Sequence, residues 1–504
     1  MNTGSWLPLA ILASPLVPGL LIFFVSEQRH WLRMALNLGG ALLELLFVAV
    51  LLSGVASGGV YEVRFALVPG ADLVLNADPM SLLFITLSAV LWLLTTIYAI
   101  GYLEDSPHRS RFFGFFSLCV FATAGVALAG NMLTLLLFYE LLTLVTYPLI
   151  LHRGTAEAVA AGRTYLRYTL SGGALLLIGV VWLRTLAGPL DFTEGGLLAG
   201  AAVERTTLLT IFAIFVIGFG VKAALVPLHG WLPKAMVAPA PVSALLHAVA
   251  VVKAGAFGLV RLVYDVYGIE FAASLGVLGP LAALAAVTVI WGSVRALQQD
   301  EIKKRLAYST VSQVSYIALG VATFGPVATI GGLVHIVHQG MMKITLFFCA
   351  GNLAETLGIH HVSEMRGVGR RMPLTMSAFT IGALGMIGVP PIAGFVSKWY
   401  LGVGAFESGQ DWVIGVLVLS TLLNAGYFLP ILYAAWFQSP QEPVGHAPHD
   451  TGAAIRAGGL ETHWMLLAPP LVTATLALLA GLFAGAPFSP LGWTELITAR
   501  EYLR

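Results

Sequence analysis

Charge is the scarcest feature of this sequence: Asp, Glu, Lys and Arg make up 10% of its 504 residues, against 58% hydrophobic residues. A water-soluble fold of this length covers its surface with far more charge. The formal net charge of +1 gives no reason to expect a nucleic-acid partner. The composition therefore indicates a chain that is embedded in a lipid bilayer.

Cysteines and cofactor motifs are scarce as well. Cys119 and Cys349 both lie in apolar stretches without CxxC spacing, so we predict neither a disulfide framework nor an iron–sulfur site. The histidines show no HxxxH or HxH spacing beside carboxylates, which argues against a metal site. The sequence has no phosphate-binding loop, no dinucleotide fingerprint and no evident strand. We therefore expect no cofactor, no metal and no ATP drive.

Long apolar runs are abundant. A helix needs about 20 apolar residues to cross a bilayer, and about 14 such runs lie near residues 6–25, 34–53, 80–101, 112–129, 131–150, 162–186, 208–228, 239–262, 272–295, 302–322, 327–354, 374–400, 411–437 and 464–486. The runs are continuous and not alternating segments of about ten residues, which favours helices over a barrel. The first run has no preceding basic residue and no cleavage site, so we expect a retained helix. The predicted fold is an all-α polytopic membrane protein.

Basic residues in the loops predict the orientation. Placing the N-terminus outside puts most loop Lys and Arg residues on the cytoplasmic side, among them Arg29, Arg109, Arg153, Lys234 and Arg366. We therefore predict a multi-pass protein of the cell (inner or plasma) membrane with both termini on the outer side.

Proline interrupts two spans in corresponding places. The seventh span ends in Lys222–Pro227, and the twelfth contains Gly388–Pro391. Paired interruptions at membrane depth point to an inverted repeat with its ion site at the breaks. We predict two inverted five-helix repeats, each with a broken helix, over residues 111–263 (spans 4–8) and 264–437 (spans 9–13). Residues 1–110 would form three flanking helices, and 438–504 a polar loop and a final helix. Ordinary proline kinks without symmetry are the alternative.

Five ionisable residues lie inside the apolar runs, namely Glu140, Lys222, Lys253, Lys343 and Lys398. A charge at the bilayer centre costs roughly 2.5–3.5 kcal/mol on insertion scales. Such residues persist in membrane helices when they pair with one another or meet water. We therefore predict that they mark an ion path through the helix bundle.

Glu140 and Lys222 both belong to the first predicted repeat, so an ion pair between them is expected. Burial and pairing shift the protonation of such groups in opposite directions, so a small movement of one partner can switch the other. This is the behaviour that a proton relay needs. The alternative is a static buried pair that fixes helix packing.

Histidines extend the predicted relay. His247 and Lys253 share the eighth span, but six residues of a regular helix place them about 120° apart. In the eleventh span His335, Gln339 and Lys343 follow one another at i, i+4 and i+8, with His338 beside them. Histidine titrates near neutral pH, so this stripe suits a proton path, and a structural helix–helix hydrogen bond is the alternative for each histidine.

His229, Lys234 and Glu301 lie at predicted helix ends on the cytoplasmic side. They are candidates for the mouth at which protons are taken up. The alternative is that they are snorkelling side chains that only set topology.

Four strings carry a resemblance to a known family. They are Lys222-Ala-Ala-Leu-Val-Pro-Leu-His-Gly-Trp-Leu-Pro-Lys-Ala, Ala238-Pro-Ala-Pro-Val-Ser-Ala-Leu-Leu-His247, Glu301-Ile-Lys-Lys-Arg-Leu-Ala-Tyr-Ser-Thr310 followed by Ser312-Gln313, and Gly388-Val-Pro-Pro-Ile-Ala-Gly-Phe-Val-Ser-Lys398-Trp399. At these residues the chain resembles the antiporter-like membrane subunits shared by Mrp cation/proton antiporters, respiratory complex I (NADH-quinone oxidoreductase) and membrane-bound hydrogenases. The resemblance extends over roughly residues 75–485.

The resemblance implies a role for each buried charge. Glu140 and Lys222 fall on the charge pair of the family's fifth and seventh helices. His247 falls on its relay histidine, Lys343 on its central lysine and Lys398 on its exit charge. Many relatives carry a histidine four residues before the central lysine, where this chain has Gln339, which cannot take a proton at neutral pH.

Within the family, Ser397-Lys-Trp399, Val252-Lys-Ala-Gly and Asn424-Ala-Gly-Tyr-Phe-Leu-Pro430 resemble the D-type Mrp subunit most. The resemblance implies a proton-translocating subunit among other membrane subunits, acting with protons and with Na⁺ or K⁺. The alternatives are the proton-pumping subunit of a complex I-like enzyme or a membrane-bound hydrogenase, a non-conducting scaffold, and a subunit for inorganic-carbon uptake. No redox centre is expected on this chain.

Overall fold

The computed structural model describes residues 6–68, 70–103, 106–199, 203–439 and 461–502, and these are almost entirely helical. The helices are α1 (Leu7–Ile22), α2 (His30–Ala56), α3 (Pro79–Tyr102), α4 (Arg109–Ala127), α5 (Met132–Ile150), α6 (Ala156–Ala187), α7 (Arg205–Lys222), α8 (Ala240–Ala248), α9 (Val251–Arg261), α10 (Ile269–Leu275), α11 (Leu278–Leu297), α12 (Ile302–Ala322), α13 (Pro326–Leu357), α14 (Val368–Arg371), α15 (Pro373–Ile387), α16 (Ala393–Glu407), α17 (Trp412–Phe437), α18 (Trp464–Leu482) and α19 (Pro490–Tyr502).

Membrane-crossing helices dominate the described part of the chain. Eleven helices there are long and apolar enough to cross a bilayer, with α8, α9 and the following turn counted as one, and α1 and α15 are shorter apolar helices. The prediction of an all-α polytopic membrane protein is confirmed. The number of fourteen spans, the inverted repeats and the domain boundaries stay predictions. Residues 440–460 of the predicted polar loop lie outside the described residues.

A β-hairpin corrects one expectation, because the sequence showed no evident strand. Strand β1 (Glu62–Val68) pairs antiparallel with β2 (Ala71–Asn76), with Glu62 opposite Asn76. Strands of six or seven residues are easily lost between apolar runs of about 20. The hairpin leads directly into α3, whose N-cap is Asp78: its carboxylate accepts a hydrogen bond from the Ser81 amide at 2.7 Å.

The two predicted interruptions lie where the prolines occur. Helix α7 ends at Lys222 and is followed by two short 3₁₀ turns, Leu228–Trp231 and Lys234–Val237. Helix α15 ends at Ile387, and α16 begins at Ala393.

A third interruption was missed, because no proline marks it. Helix α8 ends at Ala248 and α9 begins at Val251, so His247 and Lys253 do not share a regular helix. The estimate that they are about 120° apart therefore does not apply.

Helix α13 is the centre of the bundle. Its membrane-crossing part is completely buried, and it packs against α8, α12, α15, α16 and α18. The segment Ala240–Tyr267 is equally buried, whereas only a third of the membrane-crossing parts of α2, α6 and α17 is buried. The inner helices therefore meet protein on every side, while the outer ones leave apolar surface for lipid.

Glycines allow the interrupted helices to approach their neighbours. A side chain at Gly255 of α9 would collide with the backbone at Ala223, just after the end of α7. A side chain at Gly394 of α16 would collide with the carbonyl of Gly385 in α15. These contacts hold the two breaks against the inner helices and so position Lys222 and Lys398.

Following the helices in chain order places the ends near Arg109, Arg153, Lys234 and Lys304 on one side of the bundle. We call this side the basic face. That it is the cytoplasmic side stays a prediction.

Candidate functional site

Buried polar side chains run along the inside of the bundle. Seven of the residues singled out from the sequence are at most 1% exposed, namely Lys222, His247, Lys253, His335, His338, Gln339 and Lys343. Glu140 and Lys398 are partly buried. Charged and polar groups in such surroundings need hydrogen-bond partners, so their contacts define what the site can do.

Glu140 and Lys222 lie near each other without direct contact. The Lys222 Nζ donates a hydrogen bond to the carbonyl of Tyr139 and lies 3.5 Å from the centroid of the Tyr139 ring. No salt bridge within 4.0 Å joins the two charges in the described structure, although they are close enough to interact electrostatically. The carboxylate of Glu140 instead packs beside Gly173 of α6, and its Oε1 has no hydrogen-bond partner among the described residues. Glu140 and Lys222 are thus close to each other as predicted, but they do not form a salt bridge.

The interruption between α8 and α9 places two polar groups near α13. His247 packs its ring 4.6 Å from the ring of Phe347, and neither ring nitrogen has a protein partner among the described residues. The Lys253 Nζ is also without a protein hydrogen-bond partner, and its charge acts on both Lys343 and His335. Unpartnered buried polar groups of this kind are normally satisfied by water.

The stripe on α13 faces different neighbours at different levels. His335 packs its ring 5.3 Å from that of Tyr316, and neither ring nitrogen meets a hydrogen-bond partner within the part of the chain that the structure describes. The Nδ1 of His338 lies 3.0 Å from the Ser397 Oγ, on α16. Neither side-chain atom of Gln339 that can hydrogen-bond has a partner in the described structure. His335, Gln339 and Lys343 therefore do not form one continuous hydrogen-bonded line.

Lys343 begins a hydrogen-bonded chain of side chains. Its Nζ donates to the Ser309 Oγ at 2.8 Å. The hydroxyl of Tyr427 lies 3.0 Å from the same Oγ and 2.5 Å from the Asn424 Oδ1. The Tyr427 hydroxyl can donate to either oxygen, and its single hydrogen serves one of them at a time. The Ser309 Oγ is thus an acceptor that Lys343 and Tyr427 share.

Lys398 completes the chain at the second break. Its Nζ donates to the carbonyls of Met386 at 3.2 Å and Ile387 at 2.7 Å, and to the Thr421 Oγ1 at 3.1 Å. The Asn424 Nδ2 donates to the same Met386 carbonyl at 3.2 Å. The last carbonyls of a helix lack helical partners and carry partial negative charge, which stabilises an ammonium group. A hydrogen-bonded network therefore joins Lys343 to Lys398.

Three residues of this network were not identified as site residues from the sequence. Asn424 and Tyr427 lie in one of the sequence segments that resemble the family, and Ser309 lies in another. The available signal was the i, i+3 spacing of two polar side chains in the apolar run 411–437. Glu44, buried in α2, was also missed.

Two of the three candidate mouth residues line one cavity of about 560 Å³ at the basic face, namely Lys234 and Glu301. Glu301 pairs with Lys304 at 2.6 Å, and the Lys303 Nζ donates to the Ala238 carbonyl at 2.5 Å. The cavity is large enough for water and is lined by ionisable side chains beside the inner helices.

His229 does not line this cavity. Its ring lies 6.2 Å from that of Tyr308, and its Nδ1 is buried without a partner among the described residues. Burial, and then the positive charge of Arg295, lower the pKa of His229 below its ordinary value. Both causes disfavour the protonated form of this histidine.

The arrangement suits the transfer of protons. Lysines, histidines and hydroxyls follow one another inside the bundle, and each can hold or pass a proton. Among the described residues, no group of three or more His, Cys, Asp or Glu side chains is placed to hold a metal ion.

Comparison with known proteins gives two family matches. Residues 129–424 match the family described as NADH:quinone oxidoreductase/Mrp antiporter, TM. Residues 70–113 match the family described as NADH-Ubiquinone oxidoreductase (complex I), chain 5 N-terminus. The first match covers more than half of the chain and includes every candidate relay residue from Glu140 to Lys398.

Individual relatives belong to both branches. NADH-quinone oxidoreductase subunit N of Desulforudis audaxviator is 36% identical over 421 residues, which are 82% of this chain and 82% of that protein. The D-type subunit of the Na(+)/H(+) antiporter of Bacillus subtilis is 27% identical over 446 residues, 88% of this chain and 89% of that protein. A chain of the Mrp complex from Dietzia sp. superposes with a TM-score of 0.85 over 100% of this chain and 98% of that one, at 24% identity, which shows a shared fold.

The Lys343–Ser309 contact gives a stability prediction. Ser309→Ala should lower the free energy of unfolding by about 1–3 kcal/mol, because it leaves a buried ammonium without an acceptor. Lys343→Met should be neutral or stabilising, because it removes the buried charge itself. Thermal unfolding of the purified variants in detergent measures both.

The double variant is the control for this pair. If the contact carries the effect, Ser309→Ala should cost much less in the Lys343→Met background. A larger loss of stability from Lys343→Met than from Ser309→Ala would contradict this account of the contact.

Proposed function

This chain belongs to the family of antiporter-like membrane subunits shared by NADH:quinone oxidoreductases and Mrp antiporters, and we propose that it translocates protons as one subunit of a larger membrane complex. The observation that carries the proposal is the network of hydrogen bonds between Lys343 and Lys398. A scaffold that conducts nothing would have no need of two buried lysines joined in this way, since each is costly inside a bilayer.

The exit half of the path runs from Lys343 to Lys398. Transfer needs the Tyr427 hydrogen turned toward Asn424. The Lys343 ammonium then gives a proton to the Ser309 hydroxyl, which gives its own to the Tyr427 oxygen. Asn424 holds the Tyr427 hydroxyl in place but cannot relay a proton, because an amide neither gains nor loses one at neutral pH. Asn424 and Lys398 share the Met386 carbonyl, which cannot relay a proton either, so the last step to Lys398 requires water.

The uptake half runs from the basic face to Lys343. Lys234 and Glu301 border the cavity from which protons are drawn, with His229 as a further acceptor nearby. Glu140, Lys222, His247 and Lys253 then lead toward the centre. His335 and His338 provide a side branch on α13 that bypasses Gln339.

Electrostatic repulsion between lysines allows the protonation of one to control the release of a proton from the next. Lys343 has a neutral hydroxyl as its partner, and the charge of Lys253 acts on it. When Lys253 is protonated, repulsion favours loss of the proton from Lys343, because interactions between charges are strong where water is excluded. Movement of Glu140 relative to Lys222 would start the same sequence at the first break.

For the host complex we propose an Mrp-type monovalent cation/proton antiporter, with this chain in the place of its D-type member, because of the motifs around Lys253, Lys398 and Asn424. The second candidate is the proton-pumping subunit of a complex I-like enzyme. It is favoured by the NADH-quinone oxidoreductase relative, which is 36% identical. In either complex the chain lies in the cell membrane among other membrane subunits, with both termini on the outer side.

Tyr427 provides the sharpest test of the proposed path. Tyr427→Phe removes one hydroxyl from the network and should reduce proton flux in reconstituted vesicles by about 10²-fold, the usual range for loss of a proton-transfer group. The matched control is Tyr433→Phe, which removes an exposed hydroxyl from the same helix and should leave flux unchanged. Equal flux in the two variants, at equal amounts of assembled protein, would remove Tyr427 from the path.

The host complex is identified by its other chains. The native protein is purified in mild detergent, and all co-purifying chains are identified by mass spectrometry. Small hydrophobic subunits without metals are the expected result for an antiporter. Iron–sulfur or nickel-containing chains would instead assign the protein to a redox-driven complex.

A further inference from the structure

A second buried carboxylate lies outside the central path. Glu44 is the fifteenth residue of the 27-residue helix α2, so it is near the middle of the membrane-crossing part. Its side chain is completely buried, and neither carboxylate oxygen has a hydrogen-bond partner among the described residues. An ionisable residue at this depth is costly, and such residues mark functional sites by default.

The charge of Glu44 is not balanced by the helices that pack against α2, which are α1, α3 and α4. Helices α1 and α3 contain no charged residue. The tyrosine hydroxyl nearest the middle of α3, that of Tyr98, donates to the Phe348 carbonyl of α13. The charged residues of α4 are Arg109 and Arg111, at its end near the basic face. The negative charge of the Glu44 carboxylate can therefore be neutralised only by a bound cation, which is a proton or a metal ion.

In the described structure, helix α3 carries unpartnered polar atoms at the level of Glu44 and over the two turns nearer the basic face. A side chain at Gly40 would touch the ring of Trp92, which fixes the register of α2 against α3. Because the two helices run in opposite directions, Glu44 lies one turn beyond Gly40 at the level of Ser88. The Ser88 Oγ, the Trp92 Nε1 and the Thr96 Oγ1 are all buried without partners in the described structure.

Helix α1 adds backbone oxygens to the same region. Pro15 and Pro18 have no amide hydrogen, so they leave the carbonyls of Ile11 and Ser14 without their helical donors. The Ser14 carbonyl faces Gly40, since a side chain there would lie 2.6 Å from it. A carboxylate, hydroxyls and free carbonyls are the oxygen ligands that hard cations prefer.

A cavity at the basic face extends toward this region as far as Asn37. This cavity of about 620 Å³ between α2, α3, α4 and α18 is lined by Arg33, Asn37 and Arg109. Asn37 is completely buried at its inner side, where it accepts a hydrogen bond from the Ser117 hydroxyl at 3.1 Å. Asn37 and Glu44 are seven residues apart, so they lie on one face of α2 and about 10 Å apart along its axis.

From this geometry we infer that Glu44 is the carboxylate of a second binding site for a monovalent cation, a proton or an alkali ion, open to the basic face past Asn37 and Arg33. The site is separate from the path through Lys343 and does not depend on the function proposed for that path. The site would bind one monovalent cation among helices α1–α4, at about the middle of the membrane.

A hydrophobic carbodiimide tests the inference, because it forms a stable adduct only with a protonated carboxyl group in a membrane. Native membranes are treated between pH 6 and pH 9, and the adduct is located by peptide mass spectrometry. We expect an adduct at Glu44 that decreases by about tenfold or more toward pH 9, since deprotonation removes the reactive form. A further decrease on adding Na⁺ or K⁺ at constant pH identifies an alkali ion at the site, and no such effect identifies a proton alone.

Two variants serve as controls. Glu44→Gln should abolish the adduct in the α2 peptide, which confirms its assignment. Lys343→Met should leave the Glu44 adduct and its pH dependence unchanged, so that failure of the central path and failure of this site are distinguishable. Absence of a Glu44 adduct throughout the pH range, or an adduct of constant extent, would overturn the inference.

The route to the site is tested separately in a background with Cys119→Ala and Cys349→Ala. Glu44→Cys should react with a small cationic thiol reagent at least about tenfold faster than Val48→Cys, one turn deeper on the same buried face. Equal rates at the two positions would show that no polar route reaches residue 44.

Discussion

The cost of removing charge from water governs this structure. A charge at the centre of a bilayer costs several kcal/mol unless partners or water replace its hydration. The protein meets this constraint for three of its buried lysines by giving each an oxygen acceptor. Lys343 has the Ser309 hydroxyl, Lys222 the Tyr139 carbonyl, and Lys398 the free carbonyls at the end of α15.

Neutral acceptors have a consequence for function. A lysine that is locked to a carboxylate is held in its charged form, whereas one held by hydroxyls or carbonyls can lose its proton at a smaller cost. In the described residues none of the three lysines makes a salt bridge within 4.0 Å. The interrupted helices contribute to this arrangement, because the break after Ile387 exposes the very carbonyls that receive Lys398.

Composition and proline spacing were sufficient to predict the multi-pass helical fold and the two interruptions at Lys222–Pro227 and Gly388–Pro391. They could not show the interruption after Ala248, which has no proline and depends on packing against α13. They also missed the hairpin of β1 and β2, since its strands are short and one is largely exposed. The sequence therefore did not predict the local structure at these two places, where tertiary contacts determine the backbone conformation.

The candidate site shows the same division. Charged residues in apolar runs were found directly, because a Lys or Glu is easily recognised among hydrophobic neighbours in the sequence. Ser309, Tyr427 and Asn424 do not contrast in this way, and their importance depends on distances between α12 and α17 that the sequence does not encode locally. Glu44 contrasts as strongly as Glu140 but lies in the flanking helices, away from the strings that carry the family resemblance.

The central claim is that protons cross this protein through Lys343. It is tested most directly by proton flux through the purified complex in vesicles with a pH-sensitive dye inside, for the native chain and for Lys343→Met at equal assembly. The account predicts that Lys343→Met assembles normally and lowers flux by about 10²-fold or more. Native flux in a fully assembled Lys343→Met complex would contradict it.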